Sequence, residues 1–134
     1  MDQEKNLEKS LENHTCNYSV KIPLKLPSCN EYINACRINR YAGAKLKRYT
    51  DAKIGEFISD MPVFENPVKI HFTWVEGTKR RDLDGICFAK KFILDAMVKC
   101  GKLKDDNRRF VTAFTDSFEY GDETYVVLEV EEIG

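Results

Sequence analysis

Between residues 85 and 100 the side chains Ile86, Ala89, Ile93, Ala96, Met97 and Cys100 recur at steps of three and four. That period predicts one amphipathic helix with a single apolar stripe, and such a stripe must be buried against a second layer. The segment just before it, "VKIHFTWVEG" over 68–77, alternates strictly and sends Val68, Ile70, Phe72 and Trp74 to one side. A strand buried on one face beside a helix buried on one face makes a sheet-and-helix layer the economical solution.

The rest of the chain can be read against that pair. "YSVKIPLKL" over 18–26 has the alternation of a half-buried strand, and Pro23 moves it toward an edge or a bulge. In "PSCNEY", Ser28 and Asn30 are turn or N-cap types. Residues 41–59 place Ala44, Leu46, Tyr49, Ile54, Phe57 and Ile58 at mostly helical spacings, with Lys45, Lys47, Arg48 and Lys53 forming a basic side. Gly101 suits the stop of the central helix. "RRFVTAFTDSFEYG" and "ETYVVLEVEEIG" read as two strands joined near Gly121 and Asp122 in a C-terminal hairpin. The expectation is an α+β fold, a mixed β-sheet with helices packed on it, as a single domain over 17–134 after a polar N-terminal tail over 1–16.

At 134 residues such a domain can bury a core without staples. No apolar run approaches the eighteen or so residues of a membrane span, and the first nineteen lack the apolar core of a secretion signal, so a cytoplasmic protein is expected. Five cysteines, an odd number with no C-x-x-C pair, fit that compartment and offer no zinc spacing. Cys87 and Cys100 read as small core or near-core residues, with no histidine nearby in sequence to activate either. The net charge of −1 conceals a segregation: residues 35–113 hold 17 Lys/Arg against 10 Asp/Glu, while residues 114–134 hold seven acids and no base. A basic middle admits a polyanionic partner, and equally admits solvated lysines on helix faces.

The central helix is bracketed by carboxylates. Asp82 and Asp84 precede it in "KRRDLDG", and Asp105 and Asp106 follow it in "KLKDDNRR". In an extended segment residues two apart project to one side, so the first pair repel unless a cation or proton intervenes. Mg²⁺ is suited to few hard carboxylate ligands plus waters that phosphate can displace, and Lys79, Arg80 and Arg81 would hold phosphates on either side. Lys91, seven residues after Asp84, would share its face of a continuous helix and lean back toward the aspartates; Lys90 lies about 100° away around the helix axis. Each residue also has a plain role: Asp84 as a helix cap, Asp105-Asp106-Asn107 as a solvated turn, Lys91 with Asp95 as a surface pair.

Together, "RRDLDG…KFILDAMVKCGKLKDDNRR" resembles the signature of the RusA family of Holliday-junction resolvases, and "LPSCNEY" is similar to that family's N-terminal element. The likeness extends over roughly residues 18–132 and is concentrated in 79–109. It implies a RusA-like fold and a Mg²⁺-dependent structure-specific endodeoxyribonuclease. Such an enzyme resolves four-way junction DNA by paired symmetric nicks in recombination and repair, working as a homodimer, often from prophage-derived genes. Asp82, Asp84 and Asp106 would be the metal-binding catalytic acids and Lys91 the catalytic lysine, with Lys79, Arg80, Arg81 and Lys90 on the DNA. Counted from Asp82, the family's lysine position falls on Phe88, because three extra residues occupy the first part of the helix; Gly85 stands where the family commonly has asparagine. The alternative is a branched-DNA-binding protein of the same fold without catalysis.

Overall fold

The computed structural model describes residues 17–133, so the expected tail over 1–16 lies outside it. Strands β1 (Asn17–Ile22), β2 (Val68–Glu76), β3 (Val111–Tyr120) and β4 (Tyr125–Glu132) form one mixed sheet in the order β1-β4-β2-β3. Helices α1 (Cys29–Ile38), α2 (Arg40–Phe57), α3 (Leu83–Cys87) and α4 (Lys90–Lys99) complete an α+β domain. Among the described residues no helix is long and apolar enough to cross a membrane.

The period-two residues of β2 bury as expected: Val68, Ile70, Phe72 and Trp74 are all at most 3% exposed. They meet Ile54 and Ile58 at the end of α2 and Phe92, Ile93 and Met97 of α4 in one core. β1 ends at Ile22, just before Pro23, and lies at the sheet edge, where a missing amide donor is tolerated.

Three expectations change or sharpen. The first concerns the two C-terminal strands, which do not form a hairpin. β3 runs parallel to β2 on one side and β4 antiparallel on the other. The link between them crosses the end of β2, where the Gly121 amide donates to the Glu76 carbonyl at 3.0 Å. A Cβ on Gly121 would stand 3.2 Å from Val75 Cγ1, so glycine suits this crossing. The partition has a physical basis: β4 buries Val126, Leu128 and Val130, whereas β3 is exposed along most of its length and suits an edge.

Second, of the two readings of Ser28, turn or N-cap, the structure takes the N-cap, and the helix α1 follows it. Ser28 caps it, accepting the Glu31 amide at 3.2 Å, and none of its residues is fully buried. Asn39 ends α1 in an extended conformation and caps α2 by accepting the Ala42 amide at 2.8 Å. The two helices pack closely at Gly43, where a Cβ would stand 2.5 Å from Cys36 Sγ.

Third, the central helix is interrupted. α3 ends at Cys87 and α4 starts at Lys90; between them the Ala89 amide donates to the Ile86 carbonyl at 3.2 Å, a 3₁₀-type step. Phe88 and Phe92 pack around Tyr32 of α1, with ring centroids 5.9 and 5.5 Å away. Gly101 (φ 73°) stops α4 as expected. Its amide donates to Val98 and that of Lys102 to Met97, the pairing that closes a left-handed helix end.

Candidate functional site

Asp82 is the N-cap residue of α3, but its side chain makes no capping bond. Asp84 sits in the first turn, where Oδ1 accepts the Gly85 amide at 3.0 Å. Both are exposed, as are Lys79 and Arg80 before them. These carboxylates are hard oxygen donors with spare lone pairs, the chemistry a small divalent cation takes.

Arg81 is different. Its Nε and Nη2 donate to the two Glu76 oxygens at 2.6 and 3.0 Å, and Nη1 donates to the Leu26 carbonyl at 2.9 Å. Glu31 stands 3.6 Å away. With three of its five N–H donors taken up by Glu76 and Leu26, Arg81 clamps the loop before α3 to the end of β2. The side chains of Arg81 and Glu76 are only 15% and 6% exposed, so the pair lies in a low-dielectric setting. Arg81→Ala is therefore expected to lower stability by about 3–5 kcal/mol, the cost of stranding a buried charge. Arg81→Lys should recover only part of it, since an ammonium cannot fork. Urea unfolding of the three proteins measures this.

Lys90 and Lys91 also part company. Lys90 Nζ lies 2.6 Å from Asp116 Oδ2 of β3, above the rings of Phe114 (5.0 Å) and Phe72 (5.5 Å). Asp116 Oδ1 accepts the Trp74 indole N–H at 2.8 Å, so a half-buried Lys–Asp–Trp network fastens the start of α4 to the sheet. Lys91 is exposed, with Nζ 3.9 Å from Asp95 four residues on. The geometry by which Lys91 shares a face with Asp84 presumes an unbroken helix, and the step at Phe88–Ala89 removes that premise. Cys87 lies close to Lys90 and Asp116, yet burial pushes its thiol upward, the wrong direction for a nucleophile.

The second acidic pair lies elsewhere. Asp105 and Asp106 line an open cavity of about 470 Å³ with Ala44, Lys47, Arg48, Asp95, Val98 and Lys99. Partial desolvation, a hydrogen bond with Asp105 and the nearby charge of Asp95 together raise the Asp106 carboxyl above its usual range. A raised folded-state value means that its ionised form is disfavoured by folding at neutral pH. That cost fades as pH falls through the folded value. Behind the cavity wall, Asp51 Oδ2 pairs with both Lys47 and Lys99 at 2.7 Å, and Lys47 also reaches Asp95 at 2.6 Å. Burial alone would lower the Lys47 amine, but its bonds to Asp51 and Asp95 outweigh that and raise it. Asp51 is 3% exposed and its Oδ1 has no partner, so this network is bound tightly on one oxygen only.

Asp84 lies in α3 and Asp95 in the second half of α4, eleven residues further on. Asp106 faces Asp95, so it stands at the far end of this segment from Asp82 and Asp84. Among the described residues no three acidic, histidine or cysteine side chains gather closely enough to hold a metal ion. Sequence reasoning missed Asp116, Glu76 and Asp51. Only Asp116 left a readable sign, a carboxylate on the same strand face as Phe114 and Phe118. Scanned against models of known protein families the chain matches none, and a search of curated proteins returns no relative.

Proposed function

We propose that the protein is a RusA-like, Mg²⁺-dependent endodeoxyribonuclease that nicks four-way DNA junctions as a homodimer. The observation that carries this reading is the exposed Asp82-Leu83-Asp84 element at a helix start, its carboxylates open to solvent and flanked by the exposed cations Lys79 and Arg80. The chemistry a divalent cation would supply there is neutralisation of charge on the scissile phosphate and acidification of water. Asp82 and Asp84 would hold the ion. Lys79 and Arg80 would grip the flanking phosphates, Arg81 would keep their loop in place, and Lys90 would present a cation oriented by Asp116. Lys91, solvent-facing at the start of α4, would reach the DNA backbone as an additional cation.

The third acid of this reading, Asp106, does not reach the first two within one chain. A two-fold dimer resolves the difficulty. The 79–84 patch of one copy meets the 105–109 patch of the other, and the symmetry repeats the contact. The partner subunit's Asp106 completes each site.

The test is labelled synthetic junction and matching linear duplex incubated with the protein and Mg²⁺. Paired symmetric nicks in the junction alone, with 5′-phosphate ends, are expected. The separation of the acids within one chain also suits a binder without catalysis. Salt-sensitive junction binding with no product under Mg²⁺ or Mn²⁺ would select that reading and overturn the nuclease.

A further inference from the structure

The outer face of α2 carries two parallel rows of side chains, all exposed except the half-buried Lys53. Arg40, Ala44, Arg48 and Ala52 repeat every four residues, and Tyr41, Lys45, Tyr49 and Lys53 repeat beside them. Tyr41 and Tyr49 are 70% and 62% exposed, so neither ring serves the core. No exposed acid interrupts the rows before Glu56 in the last turn, since Asp51 is buried against Lys47 and Lys99. The mixed-sign pair Lys47–Asp51 lies on the inner side of α2, and on the outer rows only Lys53, 3.9 Å from Glu56, has an acid within reach. The alanines keep the surface low between the cations and rings. Arg40 lies 5.2 Å from the Tyr41 ring and Lys53 5.8 Å from the Tyr49 ring, pairing each aromatic with a positive charge.

We propose that this face of α2 binds an unpaired DNA strand, with bases stacked on Tyr41 and Tyr49 and phosphates held by Arg40, Lys45, Arg48 and Lys53. Cations alone would suit a duplex backbone equally well. The exposed rings favour unpaired bases, whose π-faces a duplex hides. Ala44 and Arg48 belong also to the wall of the cavity that holds Asp105 and Asp106, so a strand lying on α2 runs directly to those acids. On the other flank Tyr49 and Lys53 edge a groove of about 480 Å³ against residues 24–27. The proposal deepens the nuclease reading by naming the part of a branched substrate that is gripped, the strand opened at the branch point.

The test needs no cutting. Full-length protein in EDTA is titrated against fluorescein-labelled oligothymidylate at several salt concentrations, read by anisotropy. Wild type should bind with marked salt dependence. Tyr41→Ala/Tyr49→Ala should weaken binding by at least about tenfold, and Tyr41→Phe/Tyr49→Phe should restore it. Arg40→Ala/Arg48→Ala should lower the slope of log K against log salt by roughly 1.4. Unchanged circular dichroism keeps folding out of the comparison. Wild-type affinity in the double alanine variant, or preference for duplex or for anionic vesicles over the oligonucleotide, would overturn the proposal. Junction cutting that survives Tyr41→Ala/Tyr49→Ala at full affinity refutes the α2 surface and spares the nuclease. Oligonucleotide binding without cutting does the reverse.

Discussion

Asp82→Asn is expected to reduce Mg²⁺-dependent junction cutting by roughly a thousandfold or more while leaving junction affinity equal to or above that of wild type. A metal ligand set contributes several kcal/mol at a phosphodiester, and each ~1.4 kcal/mol is a factor of ten in rate. The fold should hardly notice the change. The Asp82 side chain is exposed and makes no capping bond, and asparagine is as good an N-cap residue as aspartate. Affinity should hold because the substitution removes a negative charge from a surface that must approach phosphates, beside the exposed Lys79 and Arg80. Cleavage of a labelled junction, gel shift in EDTA and thermal unfolding are the three measurements. Full cutting by the variant would sink the assignment of Asp82. Lost cutting with a large fall in melting temperature would move Asp82 from the chemistry to the fold.

The layer arrangement was legible because it follows from local period. β2 alternates, α4 has a three-and-four stripe, and Gly101 ends that helix through a positive φ. What was not legible depends on distant partners. α1 has only a short stripe, Cys29, Tyr32 and Ala35, none of it completely buried, and Ser28 marks its start. The Gly121-Asp122 turn suits a hairpin and a crossing of β2 alike; the choice rests on β4 being apolar enough for the sheet interior. At the candidate site, the exposed pair Asp82 and Asp84 was readable from the motif, but the roles of the neighbouring cations were not. In sequence Arg81 and Lys90 are assigned alike to the DNA, and Lys91 is set apart by its place on the helix face of Asp84. In the structure Glu76 claims the first, Asp116 the second, and solvent is left to the third. The position of Asp106 was unreadable for a related reason: its loop returns toward α2 and Asp95, not toward the start of α3.

That last placement gives a prediction that separates a site built within one chain from a site shared by two. Asp82→Asn and Asp106→Asn should each be inactive alone. Mixed under conditions that exchange subunits, they should regain cutting if Asp106 acts across the dimer. In the mixed dimer one site combines both substitutions, while the other combines an intact Asp82-Asp84 pair with the partner subunit's intact Asp106. Random exchange makes about half of the dimers mixed, and each carries one working site. The recovered product should therefore be singly nicked junction, with paired cuts still absent. A mixture of Asp82→Asn with Asp84→Asn should stay inactive, because both substitutions fall in the same cluster and every site keeps one of them. If all three acids came from one chain, the first mixture would stay inactive too, since each chain would carry one substitution into its own site. Within one chain the core resists bringing these acids together by refolding α3 and α4. Ile86, Ala89, Phe92, Ile93, Ala96 and Met97 are all at most 3% exposed along α3 and α4. Folding those helices back to bring Asp106 to Asp82 would expose that entire stripe, at about 25 cal/mol for each Å² of apolar surface returned to water. A contact between two copies, as proposed, would require no such rearrangement.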